Sequence, residues 1–275
     1  MKRLPAAAKI NLALLVGPAR EDGLHELVTV MQRIDICDAV EVAPAQSLAV
    51  DGFRKDTIVR AALERLAAAA GVEPHWRAEI RKRIPLAAGL GGGSADAAAA
   101  LVLANPLLEE PLPAERLAEL ASGIGADVPF FAAQLPAGYV TGIGDRLEAL
   151  PQAQPLPQVV LAIPPFGLST AAVFAELRRS DWTAPPPRSV EPGHNDLLAA
   201  ARRLRPEIDD LMRLMRHAGA EPHLTGSGPT LFALTNDPER SEAIRERLTA
   251  EGVRTIATRL RGLPASIEAI EEEEQ

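Results

Sequence analysis

The stretch from Pro85 to Leu101, PLAAGLGGGSADAAAAL, restricts the possible folds of this chain more than any other segment. Its four glycines, at positions 89, 91, 92 and 93, stand directly before a run of alanines, the strongest helix former. The residues before it, HWRAEIRKRIP at 75–85, are typical of a strand. Because glycine loses more entropy on folding than any other residue, this strand, glycine loop and helix indicate a chemical need for bare backbone.

A glycine loop in front of a helix is suited to an anion. Backbone N–H groups approach a phosphate closely where no side chain intervenes, and a helix N-terminus adds a partial positive charge. The segment fits neither common phosphate motif: Gly93 rather than lysine precedes Ser94, and a G-x-G-x-x-G reading also fails at Ser94. The alternatives are a flexible surface loop or close helix-to-strand packing, with Ser94 as a helix N-cap and Asp96 as a dipole partner.

The rest of the chain alternates strand and helix patterns, which predicts a mixed α and β fold. A strand over 9–16 would point Lys9 and Asn11 to the same side, and residues 24–44 predict two strands with a short break. The predicted helices cover 57–70, 95–104, 114–122, 195–204, 206–218 and 238–251. The Pro- and Gln-rich stretch 150–158 is a candidate boundary, dividing the chain into domains at 1–152 and 153–275.

Composition excludes several functional classes. A formal charge of −8 and a pI near 5.3 argue against an extended nucleic-acid surface. Cys37 is the only cysteine, so an intrachain disulfide is impossible and a reducing cytoplasm is the expected location. The apolar N-terminal run is interrupted by Lys9 and Asn11, and an uninterrupted apolar stretch of about 18 residues is not found, so no membrane span is expected.

Lys9 and Asp127 are the two charged residues whose surroundings stand out. A lysine within an apolar strand is unfavourable unless its ammonium reaches the surface or faces anions. Asp127, in GADVPFF, lies between small and apolar residues, where partial burial would hold a carboxylate in one geometry. Phosphoryl transfer requires a group that orients or deprotonates the attacking hydroxyl and a cation that stabilises charge. The alternative for Asp127 is a helix N-cap.

Three segments in order resemble the GHMP kinase superfamily: AKINLALLV near the N-terminus, PLAAGLGGGSADAA in the middle and LTGSGPTLFAL towards the C-terminus. The resemblance implies a two-domain α+β fold with the active site in the inter-domain cleft. It also implies that ATP, with Mg²⁺ bridging its phosphates, binds the glycine loop. That loop comprises Pro85, Leu86, Ala87, Ala88, Gly89, Leu90, Gly91, Gly92, Gly93, Ser94 and Ala95.

Carried over by motif position, Asp127 would be the catalytic base and Lys9 its electrostatic partner. The segments REDGLHEL, GLGGGSADAA and GADVPFF resemble the branch that phosphorylates the 2-hydroxyl of 4-diphosphocytidyl-2-C-methyl-D-erythritol, a cytidine diphosphate-linked polyol used for isoprenoid precursors. Substrate contacts are then expected from Asn11, His25, Phe174, Gly226 and Ser227. The metal ligands are not assigned, and Mg²⁺ is expected to be held largely by phosphates and water.

One position departs from this branch. Leu24 stands where a tyrosine is usual, which removes a ring that would stack on the cytosine. The loss is compatible with weaker binding of the same substrate or with a changed substrate. The alternatives are therefore a kinase for another small alcohol, of mevalonate type or homoserine, and a nucleotide-binding relative without turnover. His25 and the segment REDG favour the cytidine compound, and the presence of both Lys9 and Asp127 favours an active enzyme.

Overall fold

The computed structural model of the protein describes residues 1–53, 58–151, 156–183 and 192–262, and the backbone of 268–269. The strands are β1 (Lys2–Ala19), β2 (His25–Pro44), β3 (Ala49–Asp51), β4 (Trp76–Arg81), β5 (Ala137–Thr141), β6 (Arg146–Ala149), β7 (Gln158–Ile163), β8 (His223–Leu224), β9 (Leu231–Thr235), β10 (Arg254–Arg259) and β11 (Glu268–Ala269). The helices are α1 (Ile58–Ala70), α2 (Gly92–Ala104), α3 (Ala114–Ser122), α4 (Val128–Ala132), α5 (Thr170–Ala175), α6 (Leu197–Leu204), α7 (Glu207–His217) and α8 (Pro238–Ala250).

These strands form two sheets. The larger runs β11-β1-β2-β4-β3, with β5 paired to both β2 and β6, and the smaller runs β10-β7-β9-β8. All pairings are antiparallel except that between β3 and β4. The segregation of helices and antiparallel sheets confirms the predicted α+β class. Among the described helices, none combines the length and apolarity required for a membrane span.

Three apolar clusters form the core. The first packs helices α1 and α2 on the larger sheet, and the second packs helices α6, α7 and α8 on the smaller one. The third joins Ala8 and Ile10 of β1 to Leu161 of β7 and Phe232 of β9. Leu14 and Val16, further along β1, belong to the second cluster. Strand β1 therefore contributes side chains to both halves of the molecule, and it carries Lys9 and Asn11 between them.

Several predicted boundaries are wrong, and β1 extends beyond the predicted 9–16 on both sides. Strand β4 ends at Arg81 instead of continuing to Pro85, and β2 has no break. The irregularity in the pattern of residues 24–44 marks a change of neighbour: Thr29–Gln32 pair with β5, whereas Ala39–Pro44 pair with β4. The neighbouring strand decides which face of β2 is buried at each point. The hydrophobic pattern of β2 therefore changes along its length although the strand does not end.

Helix α2 begins three residues earlier than predicted. Gly91 occupies the N-cap in the left-handed conformation, with φ of 72°, and Gly92 is the first helical residue. Ser94 lies inside the first turn, so its interpretation as an N-cap is wrong. The predicted start at Ala95 overlooked that glycine, although a poor helix former, is tolerated in a first turn where backbone N–H groups remain free.

Candidate active site

A cavity of about 660 Å³, called the central cavity below, is lined by residues from both halves of the chain. Its lining combines residues of β1, β2 and the glycine loop with residues of α5 and of the turn after β8. The residues predicted from the sequence that line it are Lys9, Asn11, His25, Gly89, Gly91, Asp127, Phe174, Gly226 and Ser227. Positions separated by more than two hundred residues in the chain thus face one space.

Lys9 is held by a buried polar network. Its Nζ donates a hydrogen bond to Oδ1 of Asn11 over 2.6 Å, and the Asn11 amide donates to Oγ1 of Thr29 over 2.8 Å. Thr29 in turn donates to the carbonyl of Ala13 over 2.7 Å. Each donor meets an acceptor, so the network fixes the orientation of the Asn11 amide. Fixing Asn11 also fixes the ammonium of Lys9, whose side chain is only 6% exposed.

Asp127 faces the same ammonium. Its Oδ2 lies 3.3 Å from Nζ of Lys9, and its side chain remains 27% exposed to the cavity. Asp127 occupies the N-cap position of α4, but its side chain makes no capping hydrogen bond. A carboxylate at a helix N-terminus is favoured by the helix dipole, and here it is left free to accept a proton or a hydrogen bond from a bound molecule. Asp127 therefore stands at the N-cap position, as the alternative predicted, but its side chain does not cap the helix.

The glycine loop passes directly beside Lys9. The Leu90 carbonyl accepts a hydrogen bond from the backbone N–H of Lys9 over 3.0 Å. Gly89 and Gly91 have φ angles of 75° and 72°, and a Cβ at Gly89 would lie 2.6 Å from the carbonyl oxygen of Gly228. A Cβ at Gly91 would lie 3.0 Å from Cγ of Lys9. Both positions thus require glycine for conformation and for space.

The other loop residues do not line this cavity. Pro85, Ala88, Leu90 and Ala95 are buried, and the last three belong to apolar clusters. Leu86, Ala87 and Gly93 are exposed, and Gly92 and Ser94 are partly exposed. The first turn of α2 is thus partly exposed, and it directly follows Gly91, which lines the cavity beside Lys9. This arrangement suits a phosphate chain that enters along the helix N-terminus.

His25 and Phe174 form an aromatic wall at another part of the cavity. Their ring centroids are 5.9 Å apart, and Trp182 packs edge-on against His25 at 5.3 Å. Nδ1 of His25 lies 2.8 Å from the carbonyl of Gly17. Since a carbonyl only accepts, Nδ1 carries the proton in the neutral ring and Nε2 is left as an acceptor. Leu24 is 49% exposed beside this wall and lines the same cavity.

The turn over Gly226–Gly228 closes the cavity from the smaller sheet. Ser227 shares a 2.9 Å hydrogen bond with Thr170 at the start of α5, the helix that carries Phe174. The Asn195 amide donates to the carbonyls of Leu224 and Gly226 over 2.8 and 2.9 Å. These bonds hold the turn against β1, where Oγ1 of Thr225 accepts from the backbone N–H of Asn11.

Sequence reasoning missed the residues that hold the site in place. Thr29, Thr170, Trp182 and Asn195 were not singled out, because each acts through a partner distant in the chain. Asn195 offers the clearest available signal, since a Pro-Gly-His-Asn-Asp segment before a helix is rich in residues that bond to backbone groups.

Within the described ranges, no group of three or more His, Cys, Asp or Glu side chains is arranged to hold a metal ion. Asp127 is the carboxylate that lines the central cavity within the part of the chain that the structure describes. A divalent cation that enters with a polyphosphate fits this donor set, because Mg²⁺ commonly retains water and phosphate ligands.

Comparison with known proteins places the chain in a family. The GHMP kinases N terminal domain matches residues 57–134, and the GHMP kinases C terminal domain matches residues 173–254. A 4-diphosphocytidyl-2-C-methyl-D-erythritol kinase of Pelotomaculum thermopropionicum is 39% identical over 280 residues, covering 92% of this chain and 96% of that protein. The enzyme of that name from Thermobifida fusca is 40% identical over 284 residues, covering 91% of each chain.

A solved structure agrees with these relatives. The crystal structure of 4-(cytidine 5'-diphospho)-2C-methyl-D-erythritol kinase superposes with a TM-score of 0.82 at 34% identity, covering 95% of this chain and all of that one. Fold, domain matches and curated relatives therefore agree over nearly the whole length. The chain belongs to the GHMP kinase family.

Proposed function

We propose that this protein transfers the γ-phosphoryl group of ATP to the 2-hydroxyl of 4-diphosphocytidyl-2-C-methyl-D-erythritol. The observation that carries the proposal is the convergence, in one cavity, of the Lys9–Asp127 pair, the glycine loop and the His25–Phe174 wall. These features supply a base, a phosphate cradle and an aromatic surface for a nucleobase. The relatives of about 40% identity that carry this enzyme's name support the choice of substrate.

Asp127 is the general base in this proposal. Its carboxylate accepts the proton of the substrate hydroxyl as the hydroxyl oxygen forms a bond to the γ-phosphorus, and ADP leaves on the opposite side. Lys9, at 3.3 Å from the carboxylate, stabilises negative charge on the attacking oxygen. Asn11 keeps the ammonium in place through its 2.6 Å hydrogen bond.

The glycine loop and the first turn of α2 bind the phosphates of ATP. Gly89 and Gly91 let the loop pack directly against Gly228 and Lys9, and the partly exposed first turn of α2 offers backbone N–H groups and the helix dipole. Mg²⁺, carried by the phosphates, would neutralise charge that builds up during transfer. Asp127 is the side chain placed to approach such a complex from the cavity.

The His25–Phe174 wall binds the cytosine. The unprotonated Nε2 of His25 accepts a hydrogen bond from an exocyclic amino group, which cytosine has and uracil lacks. Phe174 provides a ring face, and Leu24 provides an aliphatic contact where relatives of this branch have a tyrosine. This reading favours the cytidine compound over mevalonate or homoserine, neither of which has a base for the wall to bind.

The test is ATP consumption by the purified protein against a panel of alcohols. The panel contains 4-diphosphocytidyl-2-C-methyl-D-erythritol, its uridine counterpart, mevalonate and homoserine. We expect ADP release and a new phosphomonoester with the cytidine compound, a much lower kcat/KM with the uridine counterpart, and no product with mevalonate or homoserine. A higher kcat/KM for mevalonate or homoserine would assign another substrate, and ATP binding without turnover on any alcohol would indicate a non-catalytic relative.

A further inference from the structure

A buried group of charges lies beneath the glycine loop and outside the central cavity. It consists of Asp38 on β2, Lys82 just after β4 and Asp96 in α2. Nζ of Lys82 donates to Oδ2 of Asp38 in a short hydrogen bond and to Oδ2 of Asp96 over 2.7 Å. The Asp38 side chain is fully buried and that of Asp96 is 3% exposed. Neither carboxylate lines the cavity, so the proposed phosphoryl transfer leaves this group without a role.

The second oxygen of Asp38 bonds to the backbone at the beginning of the loop. Its Oδ1 accepts from the N–H groups of Arg83 and Ile84 over 2.5 and 2.8 Å. The ladder between β2 and β4 ends with Ala39 opposite Arg81, one residue short of Asp38. The Asp38 carboxylate therefore accepts hydrogen bonds from two backbone N–H groups that have no partner strand in the described part of the sheet. These amides lie immediately before Pro85, where the loop starts.

Lys82 connects this start to the far end of the loop. Its ammonium bridges Asp38 and Asp96, and a Cβ at Gly92 would lie only 3.3 Å from its Nζ. Gly92 is the first residue of α2 and Asp96 lies in its second turn. The Lys82 ammonium thus links the segment before Pro85, which Asp38 holds, to the beginning of α2, which carries Asp96. The loop itself contains three residues with positive φ, Ala87, Gly89 and Gly91, and this conformation is entropically unfavourable unless its ends are fixed.

We propose that Asp38 is a positioning residue for ATP: it fixes both ends of the glycine loop and so keeps the phosphate cradle ordered before ATP arrives. The inference rests on the proposed ATP-binding role of the loop. Since the Asp38 side chain is fully buried, it does not touch the nucleotide, and any effect on ATP passes through the loop. A preordered loop loses less entropy on binding, so Asp38 acts more strongly on the affinity for ATP than on that for the alcohol.

Asp38→Asn tests the proposal, because it keeps the size and one acceptor oxygen but removes the charge that pairs with Lys82. We expect the KM for ATP to rise about tenfold or more, with the KM for the alcohol changed by less than about twofold. Hydrogen exchange of the amides at 83–91 should accelerate in the absence of nucleotide. The thermal shift that ATP produces should shrink, and this readout is independent of which alcohol is the substrate.

Glu41→Gln is the matched control. Glu41 is a buried carboxylate on the same strand, 3.9 Å from Arg3 and Arg81, and neither of these salt bridges involves the loop. Its replacement should alter neither the KM for ATP nor exchange at 83–91. If Asp38→Asn does not fold, Asp96→Asn removes the other carboxylate of the bridge and should change both readouts in the same direction.

Three results separate the outcomes. A lowered Tm of Asp38→Asn with unchanged KM for ATP and unchanged exchange at 83–91 would reduce Asp38 to a structural role and overturn the inference. An equal rise in both KM values would also overturn it. If the wild-type protein binds ATP but phosphorylates no alcohol, the proposed function fails while the exchange and thermal-shift measurements still decide the role of Asp38.

Discussion

Asp127 lies at a helix N-cap, yet its carboxylate contacts Lys9 instead of the helix. We expect Asp127→Asn to preserve ATP binding and to lower kcat by at least about 10²-fold, since an amide does not accept the proton. Steady-state kinetics and a nucleotide thermal shift check both parts. Asp237, which does cap α8 through the N–H groups of Glu239 and Arg240, provides the control Asp237→Asn. Near-normal turnover in Asp127→Asn would remove Asp127 as the base.

Leu24 is the residue through which substrate affinity can be improved. We expect Leu24→Tyr to place a ring beside His25 and to lower the KM for the cytidine compound roughly two- to tenfold, the range of one aromatic pair. The KM for ATP should not change. Leu204→Tyr, at an exposed leucine on α6 that does not line the cavity, is the control. An unchanged KM for the cytidine compound would indicate that the cytosine binds elsewhere.

Asp96 gives the protein a specific pH dependence. Burial is the main cause that raises the pKa of its carboxyl to about 7, and it outweighs the neighbouring Lys82 ammonium, while the Asp38 carboxylate adds to the rise. Between about pH 4 and pH 7 the unfolded chain therefore loses this proton while the folded one keeps it. The free energy of unfolding falls as pH rises through this window.

Asp96→Asn should remove this contribution. We expect the variant to lose less stability than the wild type between pH 4 and pH 7, measured by urea unfolding at several pH values. Asp51→Asn, at an exposed carboxylate paired with Arg77, should leave the pH dependence of the free energy of unfolding unchanged. If Asp96→Asn shows the same pH dependence of the free energy of unfolding as the wild type, the Asp96 carboxyl titrates in its usual range.

At the scale of the element, helix α4 connects Asp127, the proposed base, to a buried cation. Arg33 donates to the carbonyls of Phe131 and Leu135 over 2.7 and 2.9 Å, at the C-terminal end of the helix that begins after Asp127. Its guanidinium also lies over the rings of Phe130 and Phe131. Burial lowers the pKa of Arg33 to about 10, so it remains charged at neutral pH. Arg33 thus holds the helix that begins after Asp127.

Arg33→Met should loosen α4 from its C-terminal end. We expect the free energy of unfolding to fall by about 1–3 kcal/mol, because buried carbonyls lose their donors. We also expect kcat to fall with little change in the KM for ATP, since the base is displaced and the glycine loop is not. Arg247→Met, which removes a donor to the Ala218 carbonyl and involves no residue that lines the cavity, is the control for stability alone. A lowered stability with unchanged kcat would show that α4 stays in place without Arg33.

The elements that could be predicted from sequence are those with long, regular patterns. Helices α1 and α2 were located to within three residues, because their alanine-rich runs end at clear stop signals. Helix α4 was missed because it has five residues and contains a proline, and the hairpin β5–β6 because its strands are short. The end of β4 depends on the Asp38 carboxylate, a contact across more than forty residues that no local pattern contains.

In the candidate site, too, the local sequence indicates individual residues but not how they pack together. Lys9, Asn11 and Asp127 were found because charge or amide groups interrupt apolar or small surroundings. Their mutual distances could not be derived, because they depend on how β1, the glycine loop and α4 pack. The domain boundary at 152 and 153 remains a prediction, since residues 152–155 lie outside the described part of the chain.

At the scale of the whole molecule, strand β1 belongs to more than one core. Ala8 and Ile10 pack in the cluster shared by both sheets, and Leu14 and Val16 pack with the helices of the smaller sheet. We therefore expect a single cooperative thermal transition, with equal calorimetric and van't Hoff enthalpies. Calorimetry of the full chain is the measurement. Two separate transitions would show that the halves are stable independently of β1.

The close approach of Gly89 to Gly228 has a consequence for how the two substrates influence each other. The loop proposed for ATP and the turn proposed for the alcohol touch backbone to backbone, so ordering either one restrains the other. Such coupling is reciprocal by thermodynamic necessity: whatever factor ATP contributes to the affinity for the alcohol, the alcohol contributes to the affinity for ATP. The close approach of Gly89 to Gly228 thereby makes the affinity for each substrate depend on whether the other substrate is bound.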